Sequence, residues 1–287
     1  MKKIFISSCC IFIVASLFSF EWPQKNITTD EYNSYFGQYI GTSISSSFIF
    51  ANPSEIYASE NGAVLIVMTE QNDDSVFFPS TLGNSVILSH SDNLLSVYGN
   101  MEKSTVQESS KNREAYISGE KIGESGNSGW QQNKNGLEFQ IIDTKNTSAI
   151  NPNLLMVKNN SEIDLLLNDI YLENKDNEIF DLKNKKTISS GLYRVYKKRD
   201  PIAIPYKTTV LINGVIVDQI SYDTISQENN KIYIVGKKKY LGNVVYPNDT
   251  MQLVGETMFT SGKVTLSIIV NDIFDKSKQI DYKISIN

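Results

Sequence analysis

Short apolar runs rich in β-branched residues recur along this chain, and turn-forming residues separate them. Gly, Asn, Asp and Ser occupy the breaks, while helical periodicity is scarce after residue 20. This pattern is typical of a mainly β chain. It predicts strands over nine segments, which are 63–68, 86–89, 94–98, 137–142, 208–212, 215–220, 231–235, 264–270 and 280–286.

The sharpest turn signal is the pair Asn213-Gly214, which stands between two apolar runs. Asn and Gly both tolerate positive φ, which a two-residue hairpin turn requires. The pair therefore predicts a tight hairpin. The turn spacing and the alternating strands from 160 to 287 favour an immunoglobulin-like β-sandwich.

The first twenty residues have the layout of a secretory signal peptide. Lys2 and Lys3 form a basic head, and an apolar run that ends at Phe20 precedes a polar chain that begins at Glu21. The sequence therefore predicts residues 1–20 as a signal peptide and the protein as periplasmic or secreted. Attachment to a membrane would follow only if the signal stayed uncleaved.

A break in composition falls near Asn151-Pro152-Asn153. The chain before it is rich in Gly and Ser, and the strands after it are longer and more regular. We therefore predict two domains, at 21–156 and 160–287, which is an ordinary size for each.

The composition of the chain argues against several classes of function. Both cysteines, Cys9 and Cys10, lie in the signal segment, so the exported chain has no thiol to offer a metal or a disulfide. The chain carries 27 basic and 32 acidic residues, and no basic cluster interleaves with aromatics, which argues against a nucleic-acid partner. A single histidine, His90, is too few for an ordinary catalytic zinc site.

His90 is flanked by Ser89, Ser91 and Asp92, the residue types of a catalytic triad. Neighbours in a strand and turn, however, do not converge as a nucleophile and its base must. We therefore interpret His90 as a structural, hydrogen-bonded histidine at a strand end. The residues predict neither a catalytic group nor a cofactor.

Four segments, taken in order over residues 35 to 156, resemble the lysostaphin/LytM-type peptidoglycan zinc endopeptidases. The segments are SEIYA at 54–58 with NGAV at 61–64, GNSVILSH at 83–90 with SVYGNM at 96–101, ISGEKIG at 117–123 with GNSG at 126–129, and GLEFQ at 136–140 followed by Asn151-Pro152. The resemblance implies the small β-fold called the duplicated hybrid motif. It therefore predicts this fold for the first domain, while the strand pattern of residues 160–287 predicts the β-sandwich for the second.

The resemblance also implies that the hydrolytic groups of that family are replaced. Ser43 and Ser47 stand where its first two zinc ligands are expected, and Glu138 stands at the third. Gly136 takes the place of the catalytic histidine, and Asn100 that of the histidine after the family's tyrosine. His90 matches a position that is often histidine there but does not bind the metal.

In that family's frame these positions face one cleft, so we predict a groove with hydroxyls and amides in place of imidazoles. Its candidate residues are Tyr98, Asn100, Gly136, Glu138 and Gln140, beside Ser43 and with Trp130 near the rim. Such a surface can hydrogen-bond and stack against a ligand without hydrolysing it by the metal route.

The leading hypothesis is a non-enzymatic envelope protein that binds peptidoglycan, or a cell-wall hydrolase that it regulates. Two alternatives stay open. One is an active peptidoglycan metalloendopeptidase with atypical ligands. The other is a structural or adhesive surface protein whose β-sandwich does the work.

Overall fold

The computed structural model describes residues 20–27, 32–41, 43–69, 80–110, 112–131, 135–157, 164–200, 205–274 and 276–287. Apart from Phe20, the signal peptide predicted at 1–20 lies outside these residues. Among the residues described, no helix is both long enough and apolar enough to cross a membrane.

Phe20 belongs to the folded part of the chain. Its side chain is 5 % exposed, its backbone forms a parallel bridge with Met156, and its ring meets the edge of His90 with centroids 5.2 Å apart. A cut directly after residue 20 would remove this ring from the core.

The first half of the chain is mainly β, as the sequence predicts. Its strands are β1 (Tyr32–Ser34), β2 (Tyr39–Ile40), β3 (Ser43–Ile44), β4 (Phe48–Phe50), β5 (Glu55–Tyr57), β6 (Gly62–Met68), β7 (Ser85–Ser89), β8 (Leu94–Gly99), β9 (Ala115–Tyr116), β10 (Lys121–Glu124), β11 (Glu138–Asp143) and β12 (Ser148–Ile150). Its helical elements are α1 (Lys103–Ser110) and two 3-10 turns, Ser91–Asn93 and Pro152–Leu154.

Strands β9, β6, β7, β8, β11 and β12 follow one another across a single sheet. β11 pairs with β8 along its whole length, while its other edge is shared by β4 at the start and β12 at the end. Alternate side chains of these strands point into the core, and Val86, Leu88, Phe139 and Ile141 are fully buried. The period of two follows from strand geometry, in which successive side chains face opposite sides of the sheet.

The second half is also built of strands. They are β13 (Ile170–Asn174), β14 (Ile179–Asp181), β15 (Thr187–Ile188), β16 (Gly191–Lys198), β17 (Lys207–Ile212), β18 (Val215–Glu228), β19 (Lys231–Val235), β20 (Lys239–Leu241), β21 (Met251–Phe259), β22 (Gly262–Asn271) and β23 (Ser277–Ile286), with one short helix, α2 (Gly242–Val245). Each of the nine segments predicted as strands overlaps a strand, so those predictions are confirmed.

Two sheets of the second half enclose one core. The order β15-β23-β22-β17-β18 forms one sheet, and β14-β13-β16-β21 forms the other. Both contribute to a single buried cluster, in which Leu172 and Val195 of the second sheet join Leu266, Ile268 and Val270 of the first. The immunoglobulin-like assignment of this region stays a prediction.

The hairpin predicted at Asn213-Gly214 is confirmed. Ile212 pairs with Val215, which leaves two residues in the turn, and both have positive φ, 51° for Asn213 and 81° for Gly214. The Asn213 side chain also accepts a hydrogen bond from Thr265 N over 2.8 Å. The turn is therefore bonded to β22 as well as to its own strands.

The two halves join through one continuous sheet. β12 pairs with β18 at Ser148–Ser226, Ala149–Ile225 and Ile150–Thr224, so the first sheet of each half runs into the other. Asn151, at the predicted break, donates from its backbone to Asp223 O and from its side chain to Tyr222 O. This junction is hydrogen-bonded, unlike a flexible linker.

Candidate functional site

The hairpin of β2 and β3 forms one wall of an open groove. Tyr39 pairs with Ile44 and Ile40 with Ser43, around a turn in which Gly41 has φ 61°. Glycine adopts this conformation without a steric cost, because it has no Cβ. The exposed Ser43 hydroxyl is therefore presented directly after a tight turn.

Side chains from the second half of the chain hold this hairpin. Tyr246 donates its hydroxyl to Gly37 O over 2.8 Å, and Arg199 Nη2 donates to Tyr39 O over 2.8 Å. The rings of Tyr39 and Tyr246 stack with centroids 5.4 Å apart, and the Arg199 guanidinium lies over both. Burial raises the pKa of Tyr246 well above its ordinary value, so its hydroxyl remains a donor at neutral pH.

The opposite wall is built around the buried carboxylate of Glu138, the first residue of β11. Oε1 accepts hydrogen bonds from Ser47 Oγ at 3.0 Å and Gln140 Nε2 at 3.3 Å. Oε2 accepts from Trp130 Nε1 at 2.8 Å and Gln131 Nε2 at 3.3 Å. A buried carboxylate needs such donors, because water no longer solvates its charge. All four donors are neutral, so the charge is solvated by dipoles alone.

Ser45 and Ser47 extend this network into the hairpin. Their hydroxyl oxygens lie 3.2 Å apart, and Ser45 Oγ also donates to Ser47 O over 3.0 Å. Ser47 is buried, whereas Ser43 is exposed and lies on the open side of the wall. The two serines at the expected positions of the first two metal ligands thus have different environments.

Gly136 stands where the backbone leaves no room for a side chain. A Cβ atom built there would lie 1.8 Å from Phe50 O and 2.9 Å from Phe50 C. Real Cβ atoms do not approach a carbonyl oxygen so closely, so any larger residue must displace β4 or the segment before β11. The imidazole that the family resemblance places here does not fit this backbone.

Asn100 lies in the interior as a cross-link between loops. Its Oδ1 accepts from Ser128 N at 2.9 Å and Gly129 N at 2.8 Å, while Nδ2 donates to Gly136 O over 2.7 Å. It is 1 % exposed and has φ 61°, a conformation that Asn tolerates better than most residues. Its amide holds the loop backbone and does not reach the groove surface.

Tyr98 and His90 belong to one chain of hydrogen bonds that runs from the core to the half-buried His90 ring. Tyr98 is fully buried; its hydroxyl accepts from Ser59 N over 2.8 Å and lies 3.1 Å from Ser96 Oγ. Ser96 Oγ lies 2.7 Å from His90 Nε2, and His90 Nδ1 lies 2.9 Å from Asn61 O. A carbonyl oxygen only accepts, so Nδ1 carries the proton and Nε2 of the neutral ring accepts from Ser96.

This chain gives His90 a serine partner that its sequence neighbours do not provide. Ser96 is buried, so no substrate can reach its hydroxyl, and the pair holds β8 against the turn before it. Burial lowers the pKa of His90, and the bond to Asn61 O opposes that effect without reversing it. The neutral imidazole is therefore favoured in the folded protein.

The groove between the hairpin and β11 has a volume of about 400 Å³. It is lined by Ile40, Gly41, Ser43, Ile44, Ser45, Ser46, Ser47, Trp130 and Glu138. Trp130 is 47 % exposed, so its ring offers an accessible aromatic face at the rim, as the sequence predicted. We call this surface the serine groove.

The serine groove does not fit a zinc ion. In the described part of the chain, no three His, Cys, Asp or Glu side chains come together as metal ligands. Two of the expected ligand positions carry the hydroxyls of Ser43 and Ser47, which are poor ligands for zinc. At the third, both oxygens of Glu138 are already engaged by four protein donors.

The structure thus brings some of the candidate residues together and separates others. Ser43, Ser47 and Glu138 line the serine groove, and Gln140 contacts Glu138. Gly136 is buried beside Phe50, and Tyr98 and Asn100 lie in the interior. Sequence reasoning missed Ser45, Ser46 and Gln131, because no motif marks a serine or an amide that becomes a neighbour only through folding.

Family models match the two halves of the chain separately. A family model described as Peptidase family M23 matches residues 37–152, and a second model without a description matches residues 164–287. None of the curated proteins compared with the chain matches it.

Several solved structures resemble part of the chain. A variant catalytic domain of the prophage-encoded M23 protein EnpA from Enterococcus faecalis is 23 % identical, with 42 % of this chain and 88 % of that chain covered and a TM-score of 0.34. The SpoIIQ–SpoIIIAH pore-forming complex gives 20 % identity, 49 % and 92 % coverage and a TM-score of 0.35. Csd3 from Helicobacter pylori gives 18 % identity, 52 % and 37 % coverage and a TM-score of 0.34.

Proposed function

We propose that this chain, in which residues 37–152 form a domain of peptidase family M23, is an exported cell-envelope protein that binds peptidoglycan in the serine groove without cleaving it. In this proposal the protein retains the family's groove as a binding surface and lacks zinc-dependent hydrolysis.

The observation that carries this proposal is the state of Glu138. Its two carboxylate oxygens accept four hydrogen bonds from side chains of the protein itself. A metal ligand would have to give up some of these bonds, and the two serines beside it supply no imidazole or thiolate in return. Zinc serves these peptidases by activating a water molecule, and this donor set does not support that step.

Binding of a ligand requires hydrogen-bonding groups and apolar area but no activated water, and the serine groove retains such groups. The exposed Ser43 hydroxyl can donate to and accept from peptide amides or sugar hydroxyls. The accessible ring of Trp130 can pack against an apolar or sugar face. Concave surfaces with a few polar groups and an aromatic wall are the usual form of a ligand site.

Co-sedimentation with purified peptidoglycan tests this function. The protein that begins at Phe20, with its core ring retained, is mixed with insoluble peptidoglycan. The pellet is assayed for protein, and the supernatant is assayed for released fragments. We expect the protein to pellet and no soluble fragments to appear, with or without added zinc. Failure of the wild-type protein to pellet, or release of fragments by it, would contradict the proposal.

Two substitutions at Trp130 locate the binding surface. Trp130→Ala removes the exposed ring and should weaken binding about tenfold, the effect of losing about 1.4 kcal/mol at an aromatic contact. Trp130→Phe keeps an aromatic face and should retain most of the binding while losing the donor to Glu138.

Met258→Ala is the matched control, since Met258 is 61 % exposed and lies on the far strand β21. It should leave binding unchanged. Equal binding by Trp130→Ala and Met258→Ala would mean that the serine groove is not the site.

A further inference from the structure

The folded part of the chain begins immediately after the apolar run of the predicted signal peptide. The Phe20 ring is 5 % exposed, and the Phe20 backbone forms a parallel bridge with Met156. Two residues later, Trp22 Nε1 donates to Val157 O over 2.8 Å. The apolar residues 4–19 are therefore joined to the core without a spacer.

The apolar run lacks the usual cleavage pattern at a usable place. Signal peptides are cut after two small residues separated by one other residue, in the manner of Ala-x-Ala. Within residues 4–19, Ala, Ser and Cys take this spacing only in the segment 7–10. Only three residues separate that segment from Lys3, against the roughly 7–15 apolar residues that a signal peptide places before its cut. The sequence thus favours retention of the run.

Exposed apolar side chains lie beside the point at which the run joins the fold. Leu154 is 39 % exposed and Val157 is 67 % exposed, on either side of the Met156 that pairs with Phe20. The turn that carries them is fixed, because Met156 N donates to Pro152 O over 3.1 Å. We call the surface formed by Leu154 and Val157 the apolar corner.

The length of the run brings the apolar corner to a membrane. Residues 4–19 are sixteen in number. Sixteen residues in a helix rise about 24 Å, which is less than the roughly 30 Å of the hydrocarbon core. A short span is accommodated partly by long basic side chains at its end, and Lys2 and Lys3 stand there. At the other end no spacer is present, so the fold itself must lie against the bilayer.

We propose that residues 1–19 are retained after export as a membrane anchor, and that the apolar corner lies against the lipid headgroups. Lys2 and Lys3 then stay on the cytoplasmic side, in keeping with the positive-inside rule. Burial of Leu154 and Val157 in the interface adds to the attachment, because apolar side chains leave water there. This proposal rests on the proposed function only in that the chain is exported.

The mass of the exported chain tests retention. The full chain is produced in a bacterial host, the membranes are washed at alkaline pH, and the intact mass of the protein is measured in the membrane and soluble fractions. We expect a membrane-bound protein that retains residues 1–19. A soluble product, or a mass that lacks the apolar run, would overturn the anchor.

Leu17→Ala is the matched variant, because it puts a small residue two positions before Ser19 and completes the cleavage pattern directly before Phe20. We expect this chain to be cut after Ser19 and released as soluble protein. Its release would also show that Phe20 reaches the outer face of the membrane. Leu17→Ile keeps a large side chain and should stay intact and membrane-bound. Equal behaviour of the two variants would overturn the missing cleavage pattern as the cause of retention.

Quenching by labelled lipid tests the apolar corner. Val157→Cys is labelled with a fluorophore in the full chain, in which Cys9→Ala and Cys10→Ala leave no other thiol. In vesicles of phosphatidylcholine that contain a lipid with a nitroxide on its headgroup, we expect the label to lose most of its fluorescence. Met258→Cys on β21 is the matched control, since Met258 is 61 % exposed, and its label should keep its fluorescence. Equal quenching at the two positions would overturn the contact of the apolar corner with the membrane.

The outcomes separate this proposal from the proposed function. Peptidoglycan binding is measured on the chain that begins at Phe20, so it does not depend on the anchor. Pelleting of that chain, together with cleavage and release of the full chain, would refute the anchor and leave the function standing. Membrane retention of the full chain, with no pelleting on peptidoglycan, would refute the function and leave the anchor standing.

Discussion

Many polar side chains of this protein are hydrogen-bonded within the protein, and His90 is an example. Both of its ring nitrogens are bonded, and its edge contact with Phe20 places it beside the core. It is also the only histidine of the chain, so it is the only side chain with an ordinary pKa between 5 and 8. A half-buried neutral imidazole ties the stability of this region to pH.

The pH dependence of unfolding should therefore contain a contribution from His90. Its folded pKa is lowered by burial, so the unfolded chain binds the proton more readily. The stabilisation is complete above the ordinary value of 6.5 and is lost as pH falls below it toward the folded pKa. We expect the melting temperature of the wild-type protein to fall between pH 7.5 and 5.5.

His90→Gln is the comparison variant, because glutamine has no titratable group. Its melting temperature should be lower at pH 7.5 but flatter over the same range. Identical slopes for the two proteins would show that His90 does not titrate in this window.

At the scale of elements, the hairpins follow local sequence closely. The turn at Asn213-Gly214 uses positive φ at both residues, and no heavy atom lies within 4 Å of a Cβ built on Gly214. A substitution there thus meets no steric clash with neighbours. It acts through the backbone conformation alone.

Gly214→Val should lower the free energy of unfolding by about 1–2 kcal/mol, the usual cost of a left-handed conformation for a residue with a Cβ, and β-branching adds to it. Gly214→Asn is the matched control, because Asn adopts this region more readily. Urea denaturation of both variants measures the difference. An equal loss of unfolding free energy in the two variants would contradict the explanation that the positive φ of residue 214 causes the effect.

This hairpin was predictable from sequence because two adjacent residues determine it. The contents of the serine groove were not. Ser47 and Glu138 are 91 residues apart and meet only through the pairing of β4 with β11. Tyr98 matches a cleft residue of the resembled family, yet β8 lies deep enough here to bury it completely. The alternation of apolar and polar residues predicts which face of the sheet a side chain lies on. How deeply that face is buried depends on the segments packed over it.

At the scale of the whole molecule, the two predicted domains share a core. One buried cluster contains Phe36, Ile44 and Phe48 from the first half together with Tyr222 and Tyr246 from the second. The pairing of β12 with β18 adds a backbone connection. Separation at residue 160 would therefore expose apolar surface on both pieces, at about 25 cal/mol for each Å².

Equilibrium unfolding should accordingly be a single transition. Both tryptophans, Trp22 and Trp130, lie in the first half, so tryptophan fluorescence reports on that half alone. Far-UV circular dichroism reports on strands of both halves. We expect the two signals to coincide in urea, as for a two-state protein. A biphasic dichroism curve whose first phase alone matches the fluorescence would contradict the shared core.

The close contact at Gly136 also limits which mutational paths are open to this chain. Exposed positions such as Ser43 and Trp130 can vary one codon at a time, so a lineage can readily change the side chains that line the serine groove. Position 136 cannot, because even an alanine methyl would collide with Phe50 O. An imidazole could arrive there only after the backbone had first taken another path. The chain can therefore change the side chains that line the serine groove far more easily than it can place an imidazole at position 136.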